Sequence, residues 1–141
     1  MSVGGGITSD VVGFAASIWK RGIRWVNIPT TLLSMVDATI GGKTGVNYNH
    51  GKNLLGCFHK PSCVFIDYRF ILTLKDNVLA EGYAEAYKHY LLDADMQKCF
   101  KQERCSSVVD LLLKLKMEPM YHDYSEWKIL AKFLNTKVKI V

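Results

Sequence analysis

No run of 18 apolar residues occurs in the sequence, so no segment reads as a transmembrane helix. The opening residues, MSVGGGITSD, hold neither a basic cluster nor an apolar stretch, so no secretory signal is expected and the cytoplasm is the expected location. Cysteine is sparse. Cys57, Cys63, Cys99 and Cys105 fall into two C-x5-C pairs, a spacing that matches neither zinc fingers nor redox motifs. They are expected to be free, mostly buried thiols. His50, His59 and His122 are isolated, and no His-x-x-x-His pattern completes a metal site. Acidic residues number 13 against 18 basic ones, a formal charge of +5. The lysines are scattered and form no stripe, so nucleic acid is not an expected partner. Lysines converging on a small phosphorylated, carboxylated substrate explain the excess as well.

What is present fits one ordinary globular domain: 141 residues, 49% apolar and 22% charged. The first half reads as α/β. After Gly4-Gly5-Gly6, residues 11–19 have helical apolar spacing, with Asp10 as the expected N-cap. Residues 24–28 read as a buried strand stopped by Pro29. Thr30 and Thr31 stand where a helix would begin, with Leu32, Leu33, Met35 and Val36 as its apolar face. Residues 41–56, with five glycines and three asparagines, read as a long functional loop. Residues 63–66 read as a second strand ending at Asp67. The second half reads as helical, over 79–92, 93–100, 106–115 and 125–138, with a boundary near residue 75. Met1-Ser2-Val3 looks too short to be the strand that a glycine turn normally follows. The expected sheet is therefore two strands, marginal by itself.

Several short patterns could carry chemistry. Gly4-Gly5-Gly6-x-x-x-Asp10 ahead of a helix lets a phosphate approach backbone N–H groups at the positive helix end. It is not G-x-G-x-x-G, and Val26 and Asn27 stand where an acidic residue would close the next strand, so a purely structural turn stays open. Gly42-Lys43-Thr44 resembles the end of a P-loop, but Asp37 occupies the required first glycine, which excludes that reading. Lys43, Lys52 and Asn53 lie in the glycine-rich stretch, either as phosphate-binding point charges or as a solvated loop face. Glu81, Glu85, Lys88 and His89 share a helix. Glu85 neighbours Lys88 and His89 at three and four residues, which suits a metal ligand or a surface ion pair.

Together these patterns resemble a known signature. Arg21-Gly22, then PTTLLSMVDATIGGKTGVN at 29–47, then Gly51-Lys52-Asn53, then Gly82-Tyr83-Ala84-Glu85-x-x-Lys88 are similar in order and spacing to 3-dehydroquinate synthase. The likeness runs from Gly4 to about Leu92 and continues loosely to Val141. It implies a truncated dehydroquinate synthase-like α/β fold: a partial Rossmann-like NAD-binding region at 1–75, then an α-helical metal and substrate domain at 76–141.

By that resemblance, Gly5, Gly6, Ile7, Thr8, Ser9 and Asp10 would wrap the NAD pyrophosphate and ribose. Thr30 and Thr31 would hydrogen-bond the cofactor, and Phe70, Ile71, Leu72 and Thr73 would line it. Asp37 would sit beside nicotinamide ribose and substrate. Lys43 and Lys52 would lie close to both, and Asn53 would contact substrate. Glu85 would be one of three ligands to zinc or cobalt, with Lys88 binding substrate nearby. Arg21 would reach the substrate phosphate across a homodimer interface. The implied reaction turns 3-deoxy-D-arabino-heptulosonate 7-phosphate into 3-dehydroquinate plus phosphate, through transient oxidation by NAD, phosphate elimination, re-reduction and aldol closure. This is a phosphate-eliminating carbon–oxygen lyase of the shikimate pathway.

The family's other two metal ligands are histidines of a GHTxGH-type motif and beyond, which no histidine here matches. The chain is therefore expected to be a central fragment, inactive alone as a cyclase and poorly folded alone because open strand edges remain. The alternatives are a related sugar phosphate cyclase, of the 2-epi-5-epi-valiolone or 2-deoxy-scyllo-inosose synthase type, or a non-catalytic truncated paralogue. A metal-dependent alcohol dehydrogenase of related fold is disfavoured by the doubled lysine motif.

Overall fold

A computed structural model of the chain describes residues 1–38 and 41–92. Strand β1 (Ser2–Gly4), helix α1 (Gly6–Ile18) and strand β2 (Val26–Pro29) form a strand–helix–strand unit. β1 and β2 run parallel, Ser2 opposite Asn27 and Gly4 opposite Pro29. The opening residues are therefore a strand after all, three residues long. Such brevity is possible because β1 needs only one neighbour to fix its register, and Thr30 N–H donates to Gly4 O at 2.9 Å just past β2.

The stretch expected as a loop at 41–56 is instead an antiparallel hairpin, β3 (Lys43–Tyr48) and β4 (Gly51–Phe58). Its turn is Asn49-His50, both with positive φ (45° and 65°), the geometry that matches the twist of two-residue hairpins. The glycines serve close approach. Gly45 faces Gly56 across the ladder, and a Cβ on Gly56 would stand 2.2 Å from Thr44 O. Strand β5 (Cys63–Val64) then joins β2 in parallel, giving the sheet order β1-β2-β5. The second expected strand is thus real but shorter than 63–66. The parallel sheet and its helices make the chain an α/β fold of the Rossmann-like kind.

Helix α1 buries Ser9, Gly13 and Ala16, a stripe of small side chains. A Cβ on Gly13 would meet Thr44 Cγ2 at 2.4 Å and Trp25 Cζ2 at 2.9 Å, so the hairpin lies directly on the helix. Trp25 Nε1 donates to His59 O at 3.2 Å and His59 N to Gly42 O at 2.7 Å, tying the hairpin base to the approach of β2.

After β2, Thr31 and Ser34 cap a short helical segment reciprocally: Ser34 N–H donates to Thr31 Oγ1 at 3.2 Å and Thr31 N–H to Ser34 Oγ at 3.2 Å. That segment continues as a π-turn (Ser34–Ala38), and a 3-10 stretch (Tyr68–Thr73) leads into helix α2 (Asp76–Leu92). The core is where these meet: Leu32, Met35, Val36, Ile71, Leu79 and Ala86. The cysteines correct one expectation. Among the described residues Cys57 and Cys63 are free, but Cys63 is exposed and Cys57 only half-buried. Among the described residues no helix is long and apolar enough to cross a membrane. The helices expected at 93–100, 106–115 and 125–138, and with them Cys99, Cys105 and His122, lie outside the described residues.

Candidate active site

The parallel strands deliver the N-terminus of α1 to one end of the sheet. Gly5 is its N-cap and, as a glycine, makes no side-chain capping bond. The first intrahelical bond is Ser9 N–H to Gly5 O at 3.1 Å, so the N–H groups of Gly6, Ile7 and Thr8 keep the positive helix end unspent. Asp10 corrects its expected role. It is not the N-cap but lies one turn inside the helix, and helical spacing turns it toward the same opening.

That opening is a cleft of about 870 Å³ between the α1 N-terminus, the Thr31–Ala38 segment, the hairpin and α2. Gly5, Gly6, Ile7, Thr8 and Asp10 line one wall, Thr31 and Asp37 a second, and Lys52 and Asn53 the hairpin side. A smaller groove of about 340 Å³ adjoins it, sharing Asp10, Gly45 and Asn53 and holding Lys43. Burial pushes the Asp10 carboxyl up from its ordinary value of 3.8; the Lys52 ammonium opposes the shift and the Asp37 carboxylate adds to it. Both aspartates and Lys52 therefore share one electrostatic neighbourhood.

This arrangement has a pH consequence. A carboxyl whose pKa folding raises takes up protons on folding, so its contribution favours the folded state below 3.8. That contribution is lost as pH rises through the raised value, leaving ionised Asp10 as a cost at neutral pH. Asp10→Asn is expected to melt above wild type at neutral pH, the gap closing as the solution is taken into acid. Thermal melts of both proteins across that range measure it.

Helix α2 carries the second group of functional side chains. Glu85, His89 and Asp37 each offer a ligand atom, all within 4.8 Å of one another. His89 Nε2 stands 3.2 Å from Glu85 Oε1, and Lys88 Nζ pairs with the same oxygen. His89 is buried, and its Nδ1 has no hydrogen-bond partner among the described residues. Two carboxylates and an imidazole are the donor chemistry of zinc and cobalt sites, so the residues present fit such an ion.

Asp37 joins the two groups, because it lines the cleft and belongs to the donor cluster. The structure thus brings together Gly5 to Thr8, Asp10, Thr31, Asp37, Lys43, Lys52, Asn53, Glu85 and Lys88. Ser9 is buried beneath them, its hydroxyl donating to Gly6 O at 2.8 Å. Thr30 does not line the cleft. Ile71 is a core side chain, and Phe70 borders a separate groove with Ile28 and Phe65. Thr73 donates its hydroxyl to Phe70 O at 3.2 Å, and Leu72 lines neither opening. Arg21 is exposed past the C-terminal end of α1. At about 1.5 Å per residue, that is roughly 20 Å from the helix end that borders the cleft. Asn47 and Glu81 also line the cleft, and His89 stands in the donor cluster; in the sequence Glu81 and His89 are noted only as helix neighbours of Glu85, and none of the three is given a role in the site. The helical spacing of His89 from Glu85 was the available signal. Asn47 had none.

This fold, with its glycine turn feeding a helix beside the cleft, aligns with solved sugar phosphate cyclases. The chain aligns with 2-epi-5-epi-valiolone synthase from Streptomyces hygroscopicus subsp. jinggangensis 5008, solved with NAD+ and Zn2+ bound, at TM-score 0.76 and 34% identity, over 98% of this chain and 36% of that one. It also aligns with 2-deoxy-scyllo-inosose synthase, solved with carbaglucose-6-phosphate, NAD+ and Co2+, at TM-score 0.61 and 38% identity, over 64% of this chain and 24% of that one.

Residues 1–81 match the family described as 3-dehydroquinate synthase N-terminal, and the chain belongs to that family. It is 50% identical over 111 residues to the 3-dehydroquinate synthase of Pelagibacter ubique (strain HTCC1062), covering 79% of this chain and 30% of the relative. With that of Prochlorococcus marinus subsp. pastoris it is 42% identical over 142 residues, covering 100% of this chain and 37% of the relative. The chain thus spans about a third of the length of the curated relatives it matches.

Proposed function

We propose that this chain supplies the nucleotide-binding cleft and part of the metal site of a 3-dehydroquinate synthase, a phosphate-eliminating lyase that cyclises 3-deoxy-D-arabino-heptulosonate 7-phosphate. The observation that carries the reading is Asp37, which lines one cleft with Lys52 and the α1 N-terminus and also stands in the donor cluster of Glu85 and His89. A dinucleotide and a metal-bound sugar acid would meet there. NAD, when bound, supplies reversible hydride acceptance, and zinc or cobalt supplies Lewis acidity.

The chain's own residues then divide the remaining work. The free N–H groups of Gly6, Ile7 and Thr8 receive the pyrophosphate, and Lys43 and Lys52 neutralise phosphate and carboxylate charge. Asn53 orients substrate beside them. Glu85, whose Oε1 meets both Lys88 and His89, would be among the residues that hold the cation. Lys88, which pairs with Glu85, would bind the substrate beside that cation. Arg21, too distant for its own cleft, serves the cleft of a second copy.

A related cyclase specificity is the second reading, supported by the likeness to 2-epi-5-epi-valiolone synthase. The curated relatives favour the first. Titration of the chain with NAD+ in the presence of Zn2+ tests the proposal. Saturable binding that weakens about tenfold or more in Lys52→Ala is expected, since a charged hydrogen-bond partner is lost. No NAD+ binding by the wild-type chain would reject it. Comparing the heptulosonate phosphate with sedoheptulose 7-phosphate and glucose 6-phosphate as ligands separates the two specificities.

A further inference from the structure

We propose that Asn47 is a positioning residue, whose carboxamide holds open the bulge in β4 that points Lys52 and Asn53 into the cleft. The proposal deepens the reading above and rests on it for the identity of the ligand. Along the hairpin, Val46 pairs with Leu55 but Tyr48 pairs with Gly51. Three residues, Lys52, Asn53 and Leu54, therefore stand opposite Asn47 alone. Two of the three are extra to the ladder, and an irregularity of this size leaves backbone groups without a cross-strand partner.

The orphaned donor is Asn53 N–H, and Asn47 Oδ1 accepts from it at 3.0 Å. A side-chain carbonyl thus takes the place of the missing strand carbonyl. Asn53 itself sits at φ 54°, in the left-handed region that asparagine tolerates better than most residues. A left-handed residue at a bulge bends the strand locally. Asn47, Lys52 and Asn53 all line the same cleft.

The rest of the hairpin does not depend on this contact. Thr44 Oγ1 donates to Cys57 O at 3.0 Å, Gly45 pairs with Gly56, and His59 N donates to Gly42 O, all nearer its base. Asn47 therefore sets the aim of two side chains without setting whether the hairpin forms. The two-residue excess also distinguishes this bulge from a simple one-residue insertion, because an even excess keeps the alternation of faces the same on either side of it.

The test uses the full chain and has two arms. In the first, backbone amide hydrogen exchange at Asn53 is compared among wild type, Asn47→Ala and Asn47→Asp. Loss of one side-chain acceptor is expected to speed exchange about threefold to tenfold in Asn47→Ala. Asn47→Asp, which keeps an acceptor oxygen, is expected to restore protection, and the melting temperatures are expected to stay together. In the second arm, NAD+ is titrated into Asn47→Ala, Lys52→Ala and the double variant. If Asn47 acts through Lys52, the double variant binds no more weakly than Lys52→Ala alone. Unchanged Asn53 exchange in Asn47→Ala overturns the proposal, as do affinity losses that simply add. Failure of the wild-type chain to bind NAD+ counts against the cyclase reading instead, and the exchange arm still decides what Asn47 holds.

Discussion

Replacing Glu85 with glutamine is expected to lower the affinity of the chain for Zn2+ or Co2+ by at least about a hundredfold, since losing even a residue that only supports a ligand costs about 10–100-fold. The reason is geometric and electrostatic together. Asp37, Glu85 and His89 offer two carboxylate oxygens and one imidazole nitrogen within 4.8 Å, and catalytic zinc is normally held by three protein ligands. Glutamine keeps the shape and keeps a hydrogen-bond partner 3.2 Å from His89 Nε2, so the fold survives while the anionic ligand disappears. Lys88→Met is expected to act in the opposite direction. Its ammonium pairs with Glu85 Oε1 in the metal-free chain, and removing it removes a competitor for that carboxylate. Calorimetric titration, or the visible absorption of Co2+, reads both changes. Equal affinity in wild type and Glu85→Gln would remove Glu85 from the metal site.

Those opposite signs rest on a helix whose identity was plain in the sequence, whereas its neighbours were not all so legible. Residues 79–92 carry apolar side chains at helical intervals, and α2 contains all of them, starting at Asp76. Helix α1 was legible for the same reason, although its start was misplaced by five residues. Asp10 looked like a capping side chain, but Gly5 takes the cap position and Asp10 faces the cleft. Capping rules read residue type; they do not register that a glycine turn leaves its helix end open for something else to bind.

The hairpin was hidden by composition. Five glycines and three asparagines within 41–56 suggest a loop by every propensity scale. Propensity describes one chain segment, but Gly45 and Gly56 are explained by each other: they face one another across the ladder, where side chains would strike backbone carbonyls. Strand β1 was missed because three residues carry no periodicity. The short spacing of Lys52 and Asn53 flagged them as a pair, yet the bulge that places both in the cleft arises from a pairing offset invisible before β3 and β4 meet. His89 illustrates the same limit. Its four-residue distance from Glu85 was readable, while its burial comes from packing against elements 50 residues earlier in the chain, at about the position of Asp37.

Gly82 joins these levels, and its replacement carries the other large expected effect. By helix propensity alone, Gly82→Ala should stabilise α2 by about 1 kcal/mol. Packing argues the reverse with greater force. A Cβ there would lie 2.6 Å from Leu32 Cγ and 2.7 Å from Leu33 N. Leu32 is fully buried and Leu33 N is backbone at the start of the capped segment, so neither can yield by a simple rotamer change. Overpacking of a core contact costs about 1–3 kcal/mol, with backbone contacts at the upper end, so a net loss of about 2 kcal/mol is expected. Ala84→Gly, on the exposed face of the same helix, is expected to cost about 1 kcal/mol through propensity alone. Chemical denaturation of both variants checks the contrast. The consequence reaches the site as well. Glu85 and His89 lie one turn and two turns beyond Gly82, while Asp37 belongs to the segment that Leu32 begins. Relief of the clash must push α2 away from that segment, separating the two carboxylates of the candidate metal cluster. Gly82→Ala is therefore expected to weaken Zn2+ binding although it removes no ligand, and Ala84→Gly to leave it intact. A more stable Gly82→Ala with undiminished metal affinity would mean that α2 does not rest on Leu32 as the structure has it.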